Sequence, residues 1–354
     1  MLYGLIPQSQ QEKDALEQAP HARVLFDPFL PIIQARALMA FVQLGLSKSL
    51  GERNKGPAEL AAELGLREDG VRHLLRVLTA SGYLSVVADA GSDARDVVFE
   101  LTPLSRATLL EGGPALLDAW VLHNQVHWRA IADLEHVLKS EGERDIHHHL
   151  EGEEEWAVYQ AAMLQTARPA AEPVAGLIPE PAGRALLLDL GGAHGLYGAA
   201  ICRRFDPMHS RVVDLPDAIA HARTLGEQIG ITDVVEYEEG DIRTTDLGDE
   251  ICDVVFMGNI VHHFSDDELP RILDKVHRAL KPGGVVAIWD MAPPPDLPEF
   301  DMVAEGFSML FYLTSTSKCR SPDSYKAALT DCGFCNVEIQ RGPSPTHILI
   351  SGLR

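Results

Sequence analysis

The spacing of apolar residues changes character twice along the chain. Residues 27–50 (DPFLPIIQARALMAFVQLGLSKSL) are apolar on most faces of a helix that Gly45 should end, so this helix needs a cover from its own domain or from another subunit. Residues 57–65 and 68–81, the latter carrying Leu74, Leu75, Val77 and Leu78, show the period of two short helices. The Gly-Leu-Arg between them suggests a helix-turn-helix. Two strand-like runs, 86–90 and 97–101, flank the polar residues 91–96 and would add the hairpin of a winged helix. Residues 104–175 read as helical again and are rich in Trp and His, among them Trp120, His123, His127, Trp128, His147, His148, His149, Trp156 and Tyr159.

From residue 184 the pattern turns to short continuous apolar runs, at 186–190, 212–215, 234–237, 254–257 and 285–289, alternating with helical stretches. Such alternation predicts a mostly parallel sheet covered by helices. Two last runs, 337–340 and 347–353, follow one another with no helix between them and predict an antiparallel pair at the sheet edge. The expected fold class is α/β, a Rossmann-like domain preceded by a helical winged-helix domain. The expected organisation is 1–108 for the winged-helix-like domain, 109–182 for a helical connection lining a pocket, and 183–354 for the α/β domain.

Ligands of such sheets sit at the carboxyl ends of the strands. Those ends carry Asp189 with residues 191–195, then Asp214 and Leu215, then Gly240, Asp241 and Ile242, then Gly258 and Asn259. An apolar strand, a Gly-rich turn opening a helix, and an acid about 20 residues on predict a nucleoside cofactor. A dinucleotide would require G-x-G-x-x-G, but positions 191, 193 and 196 are Gly, Ala and Leu. What remains is D-x-G-x-x-x-G, with Ala193 in a slot suited to glycine, and that residue fits if its φ is negative.

Charge narrows the partners. Acidic residues outnumber basic ones by 52 to 30, and the net charge of −22 disfavours nucleic acid and anionic membranes. Arg67, Arg72, His73 and Arg76 keep open a DNA-binding reading of the winged helix, which the acidic balance opposes. Consecutive His147, His148 and His149 cannot converge on one ion from a helix, so no metal is expected there. Cys332 and Cys335 form a lone C-x-x-C at a helix end and read as packing. Five cysteines without a framework, and an N-terminus without a charged-then-apolar pattern, point to a cytoplasmic protein. No apolar run is expected to reach membrane-spanning length.

Five segments stand in a telling order: the 189–195 pattern, Leu215-Pro216, Gly240-Asp241, residues 259–268 (NIVHHFSDDE) and residues 280–284 (LKPGG). Over nearly its whole length the chain resembles class I S-adenosylmethionine (SAM) small-molecule O-methyltransferases of the plant caffeate and acetylserotonin type. The resemblance implies SAM as cofactor, S-adenosylhomocysteine as product, no metal, a homodimer built through the winged-helix domain, and an aromatic or polyketide hydroxyl acceptor of secondary metabolism. It implies Gly191 beside the methionine part, Asp214 with Leu215 at the ribose, Asp241 and Ile242 flanking the adenine, and Asn259 at the fourth strand end. The family's catalytic histidine falls on His262, followed by His263 and Phe264 where Asp and Trp are usual, and its acidic partner falls on Asp290. A second family glutamate falls on Cys319 within residues 318–321 (KCRS), leaving Asp290 alone or with a substitute such as Asp301 or Glu305. Met163, Phe307, Met309, Phe311 and Tyr312 would line the acceptor pocket, although core packing explains their spacing equally well. Transfer to nitrogen or carbon, or another use of bound SAM, is the alternative enzymatic reading.

Overall fold

The computed structural model describes residues 7, 9–87, 97–140, 145–291, 302–315, 319–342 and 346–354. They form two compact units, Leu2–Gln125 and Val126–Arg354, divided within the helix Asp118–Ala132.

In the first unit the long apolar stretch forms the helix Phe29–Gln43, and Gly45 breaks it at a φ of 76°, a left-handed conformation that suits glycine. The helices Pro57–Leu64 and Glu68–Ala80 follow. Strands β1 (Leu84–Val86) and β2 (Phe99–Leu101) pair antiparallel, with Leu84 opposite Leu101, and the turn expected at 91–96 lies outside the described residues. Phe41, Leu46, Leu50, Leu60, Leu75 and Leu78 are sealed from solvent as the core of this unit. The outer face of the apolar helix has no such cover: Phe29, Leu30, Ile32 and Ile33 are exposed, and so are Val24, at 78%, and Leu25 of the short helix Ala22–Phe26 before it. One expectation fails here. The helical stretch Ala22–Gln43, 22 residues long, is apolar enough by length and composition to cross a membrane. Asp27 and Arg36 interrupt the run in sequence, yet the helical stretch as a whole stays apolar. A helix that awaits a protein partner meets the same criterion.

The second unit is built on seven strands: β3 (Leu186–Leu190), β4 (His209–Asp214), β5 (Val235–Glu239), β6 (Cys252–Gly258), β7 (Leu280–Met291), β8 (Cys335–Arg341) and β9 (His347–Leu353), in the order β5-β4-β3-β6-β7-β9-β8. Strands β3 to β7 are parallel, and β9 runs antiparallel to both β7 and β8. Every residue of β3 is buried, as expected of a strand covered on both faces. Leu187, Val254 and Trp289 pack with Val174, Ile178 and Phe205 on one face, while Leu188, Val255 and Ile288 pack with Leu273, Val276 and Tyr325 on the other. The helix Glu268–Ala279 shows why: its apolar residues Leu269, Ile272, Leu273 and Val276 fall on one stripe and are all buried. Strand order reverses beside β3, so a crevice opens at the carboxyl ends of β3 and β6.

Candidate active site

At the end of β3 the chain turns at Gly191, whose φ is 67° and whose N–H donates to the Val213 carbonyl at 2.8 Å. A Cβ here would lie 2.8 Å from Ile260 Cγ1, so the loops after β3 and β6 can touch only because residue 191 has no side chain. Ala193, expected at negative φ, has a φ of +45° instead. The left-handed region costs a non-glycine residue about 1–3 kcal/mol, and a specific bond holds it there. The Ala193 N–H donates to Asp214 Oδ2 at 2.9 Å, while the Leu215 N–H donates to Oδ1 at 2.8 Å. Burial pushes the Asp214 carboxyl upward in pKa, and these two backbone donors oppose the rise.

The other strand ends supply Asp241, whose Oδ1 accepts from the Arg243 N–H at 2.8 Å, and Asn259, whose N–H donates to the Trp289 carbonyl at 2.7 Å. The Asn259 carboxamide oxygen lies 3.1 Å from His347 Nε2. Ile242 is buried in the core beside Val213 and Leu247. Thus Gly191, Asp214, Leu215, Asp241 and Asn259 share one edge of the sheet, with Ile242 beneath it. Two buried residues of the motif lie there as well, Asp189 and His194, and their surroundings were not legible in the sequence. Asp189 has no well-formed hydrogen bond to either carboxyl oxygen. Burial, aided by the charge of Asp214, pushes it up to about 7, while the nearby Gly198 N–H holds the rise back. His194 accepts from the Leu196 N–H at 3.1 Å and bonds the Met163 backbone, with burial pushing it down to about 4. Met163 therefore sits against the loop that follows β3.

Across the crevice, β7 carries Asp290, fully buried, and the turn Val261–His263 carries His262. His262 Nδ1 and Asp290 Oδ1 are 2.7 Å apart, and the His262 backbone N–H donates to Oδ2 at 3.0 Å. The Met291 N–H adds a donor at 2.8 Å. Burial works against charge on Asp290, yet the facing His262 and these donors outweigh it and hold the carboxyl below its ordinary range. Phe311 stacks on the His262 ring at 4.0 Å, and Phe307 lies 6.3 Å from Phe311. Met309 is 45% exposed.

No second carboxylate joins His262 among the described residues. Glu305 is exposed, and Asp301 lies outside the described residues. Cys319 does lie near Asp290, but burial pushes its thiol up to about 12, so it is neutral. Its neighbour Arg320 was missed by sequence reasoning. The buried Arg320 Nη2 donates to the Phe264 carbonyl and to Asp266, each at 2.8 Å, and so pins the turn that carries His262. His147 was missed as well, being first in a run that reads as surface. Its ring stacks on Trp156 at 5.3 Å and lies 5.9 Å from that of His263. Arg129 anchors this segment through Glu155 and the His149 carbonyl, the latter at 2.7 Å.

The model of an O-methyltransferase domain matches residues 133–335, and that of an O-methyltransferase dimerisation domain matches residues 30–111. The chain belongs to the O-methyltransferase family. It is 29% identical over 330 residues to the mitomycin biosynthesis 6-O-methyltransferase of Streptomyces lavendulae, covering 89% of this chain and 90% of that protein. It is 23% identical over 329 residues to an N,N-dimethyltransferase of Streptomyces rimosus, covering 90% and 92%. The crystal structure of human N-acetylserotonin methyltransferase with SAM superposes with a TM-score of 0.79, covering 99% of both chains at 16% identity. This O-methyltransferase therefore carries the mostly parallel α/β fold that its motifs suggested, together with an N-terminal helical dimerisation domain that includes most of the exposed apolar helix Phe29–Gln43.

Proposed function

We propose that the enzyme transfers the methyl group of SAM to a hydroxyl of a small aromatic or polyketide acceptor, with His262 as general base and Asp290 as the acid that orients it. One observation carries this reading. Asp290 grips both Nδ1 and the backbone N–H of His262, while Nε2 has no partner among the described residues. A proton held on Nδ1 by the carboxylate leaves the Nε2 lone pair to accept another. A phenol with a pKa near 10 is almost wholly neutral at pH 7, and a positioned base contributes about 10²–10⁴-fold. Asp290 then stabilises the imidazolium that forms.

The residues fit the cofactor. Each Asp214 oxygen accepts one backbone N–H, leaving a further lone pair on each for the two hydroxyls of a ribose. Bound SAM supplies a sulfonium methyl open to in-line displacement, and the rest of the rate comes from alignment between rigid walls. Phe311 and Phe307 offer a flat apolar wall beside His262. The exposed face of Phe29–Gln43 suits a second copy of the chain, which supports a homodimer. Arg67 and Arg72 are occupied by Asp69 and Glu68, which supports the reading without nucleic acid. All five cysteines are free, in keeping with a cytoplasmic enzyme.

A nitrogen acceptor is the second reading, favoured by the likeness to an N,N-dimethyltransferase. Incubation with methyl-labelled SAM and a panel of phenols, polyketides and amines, followed by mass spectrometry, separates the two. Label on oxygen is the expected result; label confined to nitrogen or carbon overturns it.

A further inference from the structure

His262 is one of three imidazoles in a row. The ring of His263 lies 4.4 Å from that of His262 and 5.9 Å from that of His147. An acid stands behind each outer ring: Asp290 behind His262, and Asp145 behind His147, where Oδ1 lies 2.6 Å from Nδ1 in a close but poorly aligned contact. Behind the middle ring stands a hydroxyl, Ser315 Oγ, 2.9 Å from His263 Nδ1. The two supports are themselves joined, since the backbone of Asp145 bridges that of Ser315. Each Nδ1 thus faces a protein oxygen, and no Nε2 of the three has a partner among the described residues.

The middle ring differs from its neighbours in charge. Burial, then the adjacent imidazoles of His262 and His147, hold His263 well below the ordinary histidine range, against the pull of Asp145 and Asp290, so it is neutral at pH 7. Assigned with its Nδ1 as acceptor of the Ser315 hydroxyl, this neutral imidazole carries its proton on Nε2 and is a donor there. The row does not gather into a metal centre: no three metal-ligating side chains among the described residues are grouped to hold an ion. It presents a base and a donor side by side, an arrangement that matches two oxygens on one flat molecule.

Building on the proposed transfer to oxygen, we infer that His263, backed by Ser315 and flanked by His147, is a specificity residue that binds a second oxygen of the acceptor, on the carbon adjacent or peri to the one bearing the reacting hydroxyl. A single-oxygen acceptor leaves this donor of a half-buried ring without its hydrogen bond, which penalises it.

The test uses full-length enzyme and paired probes: 1,2-dihydroxybenzene against phenol, and 1,8-dihydroxynaphthalene against 1-naphthol. Label transfer from SAM and calorimetric binding to the enzyme loaded with S-adenosylhomocysteine are both measured. Wild type should favour the dioxygenated member by about tenfold, the worth of one hydrogen bond. His263→Phe keeps an aromatic ring but no donor and should bring the ratio near one, whereas His263→Gln should restore part of it. A purely structural role would move both members of a pair alike. Ser315→Ala, which removes the support of the donor, should lower the ratio and serves if His263→Phe loses its fold. Equal handling of both members by wild type, or a ratio unchanged in His263→Phe, overturns the inference. If binding shows the preference but no oxygen is labelled, the inference stands and the proposed transfer falls; labelled oxygen without preference gives the reverse.

Discussion

Asp189 and Asp290 occupy comparable places, each near the carboxyl end of a parallel strand and each sealed from solvent, at 1% and 0% exposure. Their carboxyl groups nevertheless move in opposite directions. Burial opposes charge on both; Asp290 meets an imidazole and two backbone donors, whereas Asp189 meets no well-formed hydrogen bond and the like charge of Asp214. Partners, not depth, decide which buried acid is ionised. One side of the crevice is therefore organised around a charge already in place, and the other holds two acids pushed upward, Asp189 and Asp214, beside the loop proposed to hold a cationic cofactor.

The largest expected effect lies on the satisfied side. His262→Ala should lower turnover of a weakly acidic phenol by about 10²–10⁴-fold while binding of S-adenosylhomocysteine persists. The loss should shrink for phenols already ionised at the assay pH, which need no base. Equal rates for variant and wild type at saturating SAM would leave alignment as the whole mechanism. Asp290→Asn should cost less, about 10–100-fold, by loosening the ring and withdrawing charge from the imidazolium. It also has a signature in stability. Because the folded carboxyl lies below its unfolded value of about 3.9, Asp290 contributes stability that is present above that value and lost as pH falls through the folded one. The variant should therefore show a flatter acid limb in urea unfolding.

The two sides were not equally legible. The alternation of apolar runs and helices gave the parallel strands, and residues 189–195 and 259–268 located both walls of the crevice, because glycine turns and strand-end polar residues are local signals. Arg320 was hidden because its role is to cap carbonyls some 56 residues away in sequence, at Phe264. His147 was hidden because three successive histidines look solvated, and only the fold brings one of them against His263. The apolar stretch at Ala22–Gln43 misled for the opposite reason: Asp27 and Arg36 interrupt it in sequence, while the helical stretch as a whole stays apolar.

On the unsatisfied side the sign reverses. With a folded value of about 7 against about 3.9 unfolded, Asp189 keeps its proton in the native chain over a range where the unfolded chain has lost it. Stability from this group is present below about pH 4 and declines as pH rises toward 7. Asp189→Asn, neutral throughout, should match wild type near pH 4 and exceed it by about 1–3 kcal/mol at pH 8, read from urea midpoints with an unchanged slope. A constant difference across that range would mean that Asp189 is compensated by a partner after all.

The smallest effect concerns how the loop beside Asp189 is held. Ala193 has a φ of +45° and stays there because its N–H meets Asp214. Replacing it with glycine removes a strain of about 1–3 kcal/mol, but the unfolded chain gains freedom worth about 0.5–1 kcal/mol. The difference favours the variant slightly, so Ala193→Gly should melt about 1–3 °C higher, with Asp214 still bonded and SAM affinity at least that of wild type. If the melting temperature falls instead, the alanine methyl contributes packing that outweighs its strained backbone. The comparison then sharpens in an unexpected way: the cofactor side, poor in hydrogen bonds around Asp189, would rest on apolar contacts within the loop, and the departure from glycine at 193 would be an adaptation of this chain, not a tolerated defect.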